Sequence, residues 1–516
     1  MERTFFTAAV RITLVGTFAF AALSTPAATS ALWGERGEHW TQGSRLPDFS
    51  YAGYHRGEAP LPDVPVVANV KDFGAVGDGI SDDTRAINAA ITATARGAIF
   101  LPAGRYKITD YITIAKSGIV LRGAGPAQTV LWFPSGLDEI HPRQGRTSTG
   151  SAASGFSFDG AFVQLRGDYR AALLANITST ARRGDFTVEV DRPAALSVGQ
   201  DVLIRLRESS DHSLKRTLYD NDPGDIAKGK LLDTKMLVRV VAIEGSRIRF
   251  DRPLRFETRA AWQPQIQSFA PTVTESGVEG LRFEFPATPY SGHFKENGAN
   301  AIELRHVHHC WVRDVAIHNG DLGINLVACG NTVDGVVFTA DTARGTKQGE
   351  LAACTGHHAI QCKAAEDNLI LRFEVRASYI HDLTVEHASG NVFAEGSGAD
   401  LNFDHHKDTP YENLFTAIDC GAGTRVWRHG GGASLGRPCA GRGTFWGIRA
   451  DRPLAPPPAG WGPSSMNLVG LFTANPSAPP SDGSWFEAFA SEPVQPANLH
   501  AAQLERRLAA KPGSPP

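Results

Sequence analysis

The feature that most restricts how this 516-residue chain can fold is a spaced repeat. Val278–Phe283, Val312–Ile317, Val333–Phe338 and Ile380–Val385 share one pattern. Each has an apolar residue, two turn-like positions with Gly or Asp third, then two apolar residues one apart. Ser117–Gly123 is a looser relative. The starts fall 34, 21 and 47 residues apart, and 47 reads as two coils. Periods of roughly 20–50 residues mark architectures built by stacking. The alternation is that of a strand, with inward side chains filling an interior and outward ones facing solvent or a bound molecule. A solenoid also accommodates a chain longer than one compact core.

The flanking segments fit such a stack. Residues 32–66 are polar and aromatic and read as an arm packed across the body. Val70–Gly79 leads to Ser81–Thr84, where Ser81 or Asp82 can cap a helix over Asp83–Thr92 with an apolar face of Ile87, Ala90 and Ile91. A helix over the first coil blocks edge-to-edge association. Residues 165–258 break the repeat: Phe186–Val190, Asp201–Leu206, Met236–Ile243 and Ile248–Phe250 read as antiparallel strands of an insertion that roofs a cleft. The tail is proline-rich and closes with an amphipathic helix, Ala497–Leu508. The chain is thus read as all-β: a right-handed single-stranded parallel β-helix with a small inserted β domain and short capping helices. Its expected parts are a signal peptide (1–31), an N-terminal arm (32–66), the first β-helix part with its capping helix (67–164), the insertion (165–258), the main β-helix (259–450) and a C-terminal strap with a short helix (451–516).

The run from Asp72 to Tyr106 resembles the opening segment of the pectate lyase superfamily, in its rhamnogalacturonase/epimerase-like branch. The resemblance implies the fold. It does not imply the reaction, because lyases, glycosidases, epimerases and phage tailspikes share it. From His293 to Ile448 the chain resembles a bacterial branch of the same superfamily, through Gly356–His358, His381–Val385, Gly390–Phe393, Asp404–His406, Pro410–Phe415 and Thr444–Trp446. That implies a carbohydrate-active β-helix whose partner is a polysaccharide. The chain departs from the pectin hydrolases: it has no Asn-Thr-Asp run, no Arg-Ile-Lys, and Gly356-His357-His358 stands where they carry Gly-His-Gly.

A net charge of −3 provides no basic field for nucleic acid or anionic membrane. Arg3 and Arg11, the apolar run Ile12–Leu23 and the small residues Ser24–Ala31 read as a secretory signal cleaved near Ala31. The run is only a little over half of the ~20 residues a spanning helix needs. The expectation is a secreted protein, extracellular or periplasmic, a monomer with no membrane contact after cleavage. The six cysteines, Cys310, Cys329, Cys354, Cys362, Cys420 and Cys439, allow up to three disulfides or serve as buried thiols. Cys354 and Cys362 are close enough to staple one loop.

Twelve of the 17 histidines lie between residues 290 and 430. A polyuronate lyase needs a cation for the C6 carboxylate, a base for the C5 proton and an acid for the leaving oxygen, with Ca²⁺ as an optional cofactor. His357 or His358 is the candidate base, Lys407 or Arg425 the neutraliser and His405 the acid, with Asp404 in the same catalytic set. Lys295, Glu296, Asn297, Asp321, Tyr411 and Trp427 are candidate substrate contacts. A glycoside hydrolase would instead need two carboxyl groups, for which Asp321, Glu386, Glu395, Asp400 and Asp404 are available. No residue is assigned as a metal ligand, although His357, His358, Asp404 and His405 have the donor types for a divalent ion. The first expectation is β-elimination on a uronic-acid-containing glycan. The alternatives are a glycoside hydrolase, a C5 epimerase, and a noncatalytic glycan-binding or adhesion solenoid.

Overall fold

A computed structural model describes residues 28–147, 150–231, 233–345, 353–474, 477, 479–489 and 493–510. The signal-peptide reading falls largely on residues 1–27, outside those described. Strand alternation and the spaced turns produce a parallel β-helix. One sheet stacks Ile112–Ile114, Val163–Arg166, Asn300–Arg305, Leu322–Val327, Gly356–Lys363, Tyr379–Glu386 and Phe403–His405, each parallel to the next. A second face carries one apolar ladder in continuous register: Ile99, Leu121, Val278, Val312, Val333, Ile370, Phe393, Phe415, Phe445 and Leu468. These ten side chains are essentially inaccessible, and burial of each such group contributes about 1.5–3 kcal/mol.

The repeat pattern has a conformational cause. Gly277–Glu284, Trp311–His318 and Thr332–Thr339 each bend from the second face onto a third, at Gly280, Asp314 and Gly335. Their φ angles are 65°, 52° and 67°. That left-handed conformation suits Gly and is tolerated by Asp, which is why the third position of the hexapeptide is restricted. Ile380–Val385 is different. It lies within Tyr379–Glu386 on the first sheet, beside Gly356–Lys363. The 47-residue gap is therefore not two coils of one face. The partner of Val333 is Ile370, and Asp382 is not a bend but accepts a hydrogen bond from Arg425, 2.8 Å.

An asparagine stack fixes one turn. Asn331, Asn368, Asn391 and Asn413 are fully buried. The backbone N–H of Asn331 donates to Oδ1 of Asn368, that of Asn368 to Asn391 and that of Asn391 to Asn413, at 3.0–3.1 Å. Their Nδ2 groups bond backbone carbonyls such as Ala328, Ala365 and Ala388. Asn391→Ala leaves the buried Asn368 amide without its acceptor. The expected result, read from denaturant midpoints, is a loss of about 2–4 kcal/mol, since each stranded polar group costs about 1–3 kcal/mol.

The first helix is Thr84–Ala93, burying Ile87, Ala90 and Ile91 over the coil start. Asp83 occupies its cap position, one residue later than expected. Asp82 bonds the Thr84 N–H, and Asp83 instead accepts from Val76 and Gly77. The insertion is an antiparallel sheet running from Leu173–Asn176 to Gln265–Ser268. Its limits differ from 165–258, because Val163–Arg166 belongs to the coil and Gln265–Ser268 returns to pair with both Leu173–Asn176 and Asp201–Leu206. The stretch read as a charged loop contains a short helix, Ser213–Leu218.

The arm lies along the second face, where Trp33, Trp40, Leu46 and Phe49 pack with Leu369, Val392, Leu414 and Trp446. The last helix, Leu499–Ala509, clamps the arm: Gln503 accepts from Phe49 N at 2.9 Å and donates to Pro47 O at 2.8 Å. All six cysteines are buried. Cys362 is a thiol, so the expected Cys354–Cys362 staple is not formed, and burial pushes the thiols of Cys310, Cys329, Cys362 and Cys439 upward. Among the described residues, no helix is long and apolar enough to cross a membrane.

Candidate functional site

The last three strands of the first sheet bring distant histidines together. In register, His358 sits beside His381, and Thr384 beside Asp404. His406 follows directly after Phe403–His405. His293 arrives from the loop before Asn300–Arg305, and its Nε2 lies 2.9 Å from Nε2 of His357. The rings of His357 and His358, of His358 and His381, and of His381 and His406 are 4.2, 4.8 and 5.0 Å apart. His357, His358, His381 and Asp404 are buried, whereas the His406 side chain keeps 21 % of its exposure.

Asp404 organises this cluster. Its Oδ2 accepts from Nδ1 of His406 at 2.8 Å and from Thr384 Oγ1 at 3.0 Å. Its Oδ1 accepts from the Gly430 N–H. His358 Nδ1 is 2.8 Å from Thr384 Oγ1, which extends the network. Burial alone would raise the Asp404 carboxyl, but the neighbouring His381 and His406 imidazoles and the bonds from His406 and Gly430 outweigh it and hold it well below the usual carboxylate range. For His406, burial acts downward but the Asp404 charge and hydrogen bond win, and its pKa is raised above the ordinary imidazole value. Burial and the adjacent imidazoles hold His357 and His358 well below it. Burial likewise lowers His381, to about 3, against the attraction of Asp404.

Gly430 is where the loop after Cys420 touches the cluster. A Cβ there would stand 2.2 Å from His406 and 2.8 Å from His381, so only glycine permits this approach. The same loop lines two hollows that share Pro458. One, about 680 Å³, is bounded by Asp400, Arg425, Trp427 and Arg428. The other, about 380 Å³, is bounded by Lys407, His429, Arg437 and Trp461, with Gly224 and Asp225 contributed by the insertion. The insertion is anchored there by the buried Lys215–Asp408 ion pair and by Tyr219, which donates to Arg437 O at 2.9 Å.

The structure thus unites His357, His358, Asp404 and Glu296 from the sequence reading. Glu296 Oε1 lies 3.6 Å from His357 Nδ1, and burial raises its pKa to about 7. Lys407 lines the neighbouring hollow, its Nζ 3.2 Å from Gly432 O, and burial lowers its pKa. His405 is a correction. It follows Phe403 into the coil interior against Phe415, Phe445 and Trp461, and burial lowers its pKa to about 4. Period-2 alternation turns Asp404 and His406 to the opposite side, so His406, not His405, joins the cluster. Arg425 is committed to Asp400 O, Tyr379 O and Asp382 through all its nitrogens, which makes it a clasp between loop and sheet.

The remaining candidates are held in structural contacts. Asp321 is buried against Arg344 and the Ala299 N–H, 2.6 and 2.9 Å. Tyr411 is buried in the apolar core under the insertion. Lys295 and Asn297 bond the carbonyls of Ala152 and Thr288. Trp427 is anchored by its indole N–H to Ala455 O, 2.7 Å, and flanks the larger hollow. His293, His381 and His406 lie in the histidine-rich stretch but were given no role from the sequence. The available signal was the apolar-alternation break at His381 and the second histidine of Asp404-His405-His406.

The cluster also holds metal-donor atoms. His293, His357 and His381 place one ligand atom each within 4.8 Å of one another, and His381, Asp404 and His406 do the same.

A family model described as "Rhamnogalacturonase A/epimerase, pectate lyase-like" matches residues 67–168, ending before the cluster begins. The mannuronan C5-epimerase AlgE4 of Azotobacter vinelandii is 40 % identical over 97 residues, covering 17 % of this chain and 18 % of that protein. Alginate lyase 7 of the same organism is 45 % identical over 80 residues, covering 14 % and 9 %. The chain therefore spans less than a fifth of these relatives in the matched region. Among solved structures, the Gp54 tailspike of the Acinetobacter baumannii bacteriophage AP22 aligns with a TM-score of 0.44 at 8 % identity, covering 80 % of this chain and 59 % of that one. The chain is thus a parallel β-helix whose opening coils, residues 67–168, are similar to the rhamnogalacturonase A/epimerase, pectate lyase-like family.

Proposed function

We propose that this protein is a polysaccharide-modifying enzyme that cleaves a uronic-acid-containing glycan by β-elimination after abstracting the C5 proton. The observation that carries the reading is the Asp404–His406 pair. A buried carboxylate fixes Nδ1 of a partly exposed imidazole at 2.8 Å, which leaves Nε2 as the proton-accepting edge. His406 takes the C5 proton. Lys407, next in the chain and lining the smaller hollow, neutralises the C6 carboxylate and so stabilises the carbanionic charge that develops beside it. His429 in the same hollow protonates O4 as the C4–O4 bond breaks and the C4–C5 double bond forms. The similarity to mannuronan C5-epimerases and to an alginate lyase supports a uronate substrate. A glycosidase is less well supported: Asp321, Glu386 and Asp400 are already engaged by Arg344, Lys363 and Thr424.

The test is incubation of the purified protein with mannuronan, guluronan, galacturonan and neutral glucans. Ultraviolet absorbance, reducing ends and deuterium incorporation at C5 in D₂O are read together. Absorbance and reducing ends rising in step on one polyuronate is the expected result. Deuterium at C5 without chain cleavage would assign epimerisation, which shares the abstraction step. Reducing ends without absorbance would assign a hydrolase, and inertness towards every glycan would favour a binding solenoid. The route out of the cell, to the medium or the periplasm, is part of the same proposal because such polymers lie outside it.

A further inference from the structure

We propose that His293, His357 and His381 form a binding site for one divalent transition-metal ion of the Zn²⁺ class. This goes beyond the proton-transfer reading and stands without it.

The geometry is that of a three-imidazole site. Ligand nitrogens about 2.0–2.1 Å from a tetrahedral ion are about 3.3 Å from one another. Here the three donor atoms lie within 4.8 Å, and the His293 and His357 Nε2 atoms are 2.9 Å apart. Small ring rotations would bring the set to that spacing. A second, independent observation concerns hydrogen bonding. The Nε2 of His381 is buried and makes no hydrogen bond within the protein. Leaving a buried polar nitrogen unpaired is costly, and an ion supplies the missing partner.

Each buried ring also has a carboxylate behind it. His381 Nδ1 is 3.3 Å from Asp404 Oδ2, and His357 Nδ1 is 3.6 Å from Glu296 Oε1. Metal-bound histidines characteristically turn their other nitrogen to a carboxylate, which sets the tautomer and strengthens the ligand. That arrangement leaves Nε2 of both rings for the ion, and the Nε2 of His357 faces that of His293. Imidazoles select a transition metal over Ca²⁺, which takes oxygen ligands. With three protein ligands the ion retains an open position for an oxygen donor.

The test uses the full chain stripped with chelator, with Zn²⁺ alone titrated by calorimetry and Co²⁺ as a spectroscopic probe, in the absence of any glycan. One ion per chain is expected, with the visible bands of a tetrahedral cobalt site. His293→Ala and His381→Ala should each weaken binding by at least about 100-fold, and Glu296→Gln by about 10–100-fold. His318→Ala, on another face, should bind as the parent does. His293 lies in a partly exposed loop, so its variant remains informative even if the buried His381 variant fails to fold. Absence of stoichiometric binding, or binding unchanged by both His293→Ala and Glu296→Gln, would overturn the proposal. Because no substrate is present, either outcome leaves the β-elimination reading to its own assay.

Discussion

Replacing His406 with glutamine should lower turnover of the uronate polymer by about 10²–10⁴-fold, the usual contribution of a positioned general base. Glutamine keeps the size and one hydrogen bond but cannot accept the C5 proton. Substrate binding, governed by the hollows, should change little, so the loss should appear in kcat with KM nearly constant. Asp404→Asn offers a finer probe. The Asp404 charge and hydrogen bond raise the His406 pKa, and the base works only when neutral. In the parent the acidic limb of kcat/KM should therefore fall at a pH above the ordinary imidazole value. In Asp404→Asn the limb should move to lower pH, while the plateau drops because the ring is no longer held. A purely structural role for Asp404 would lower the plateau without moving the limb. Activity of His406→Gln within a few-fold of the parent would sink the assignment.

The second large effect is acid destabilisation. His308, His405 and His500 are buried, and burial lowers each pKa to about 4. His308 is held through Nδ1 to Cys329 O at 2.8 Å, and the Nε2 atoms of His405 and His500 are buried without a partner. Their ordinary value is 6.5. Between these limits the unfolded chain binds protons that the folded chain does not, so stability falls as pH falls. Three groups acting together give a slope of roughly 4 kcal/mol per pH unit, or on the order of 10 kcal/mol from pH 6.5 to 4. Denaturant midpoints measured across that range should drop steeply, and His405→Phe should reduce the slope by roughly 1.4 kcal/mol per pH unit. A midpoint level from pH 6.5 to 4.5 would contradict it.

The route from sequence to site ran further for the coil than for the chemistry. The hexapeptides at 278, 312 and 333 gave away their strands and bends, because each depends on neighbours within a few residues: alternation for the faces, and Gly280, Asp314 and Gly335 for the left-handed turn. The capping helix was legible for the same reason. The hexapeptide at 380 misled because the same alternation suits any buried strand, and only lateral pairing with Gly356–Lys363 decides which sheet it joins.

The histidine concentration told of polar chemistry in residues 290–430 but not which rings meet. Asp404-His405-His406 offers two adjacent imidazoles, and local sequence does not say which points outward; Phe403 packing inside settles it, sending His405 inward and His406 to Asp404. His293 reaches His357 across 64 residues, and Arg425 reads as a cation for substrate until Asp382 is found holding it. What the sequence by itself determined was therefore the coil, its turns and the neighbourhood of the polar residues, all set by short-range period and backbone sterics. Which side chains share a site was decided only by tertiary structure, because contact across coils depends on how many residues each turn spends before the chain returns.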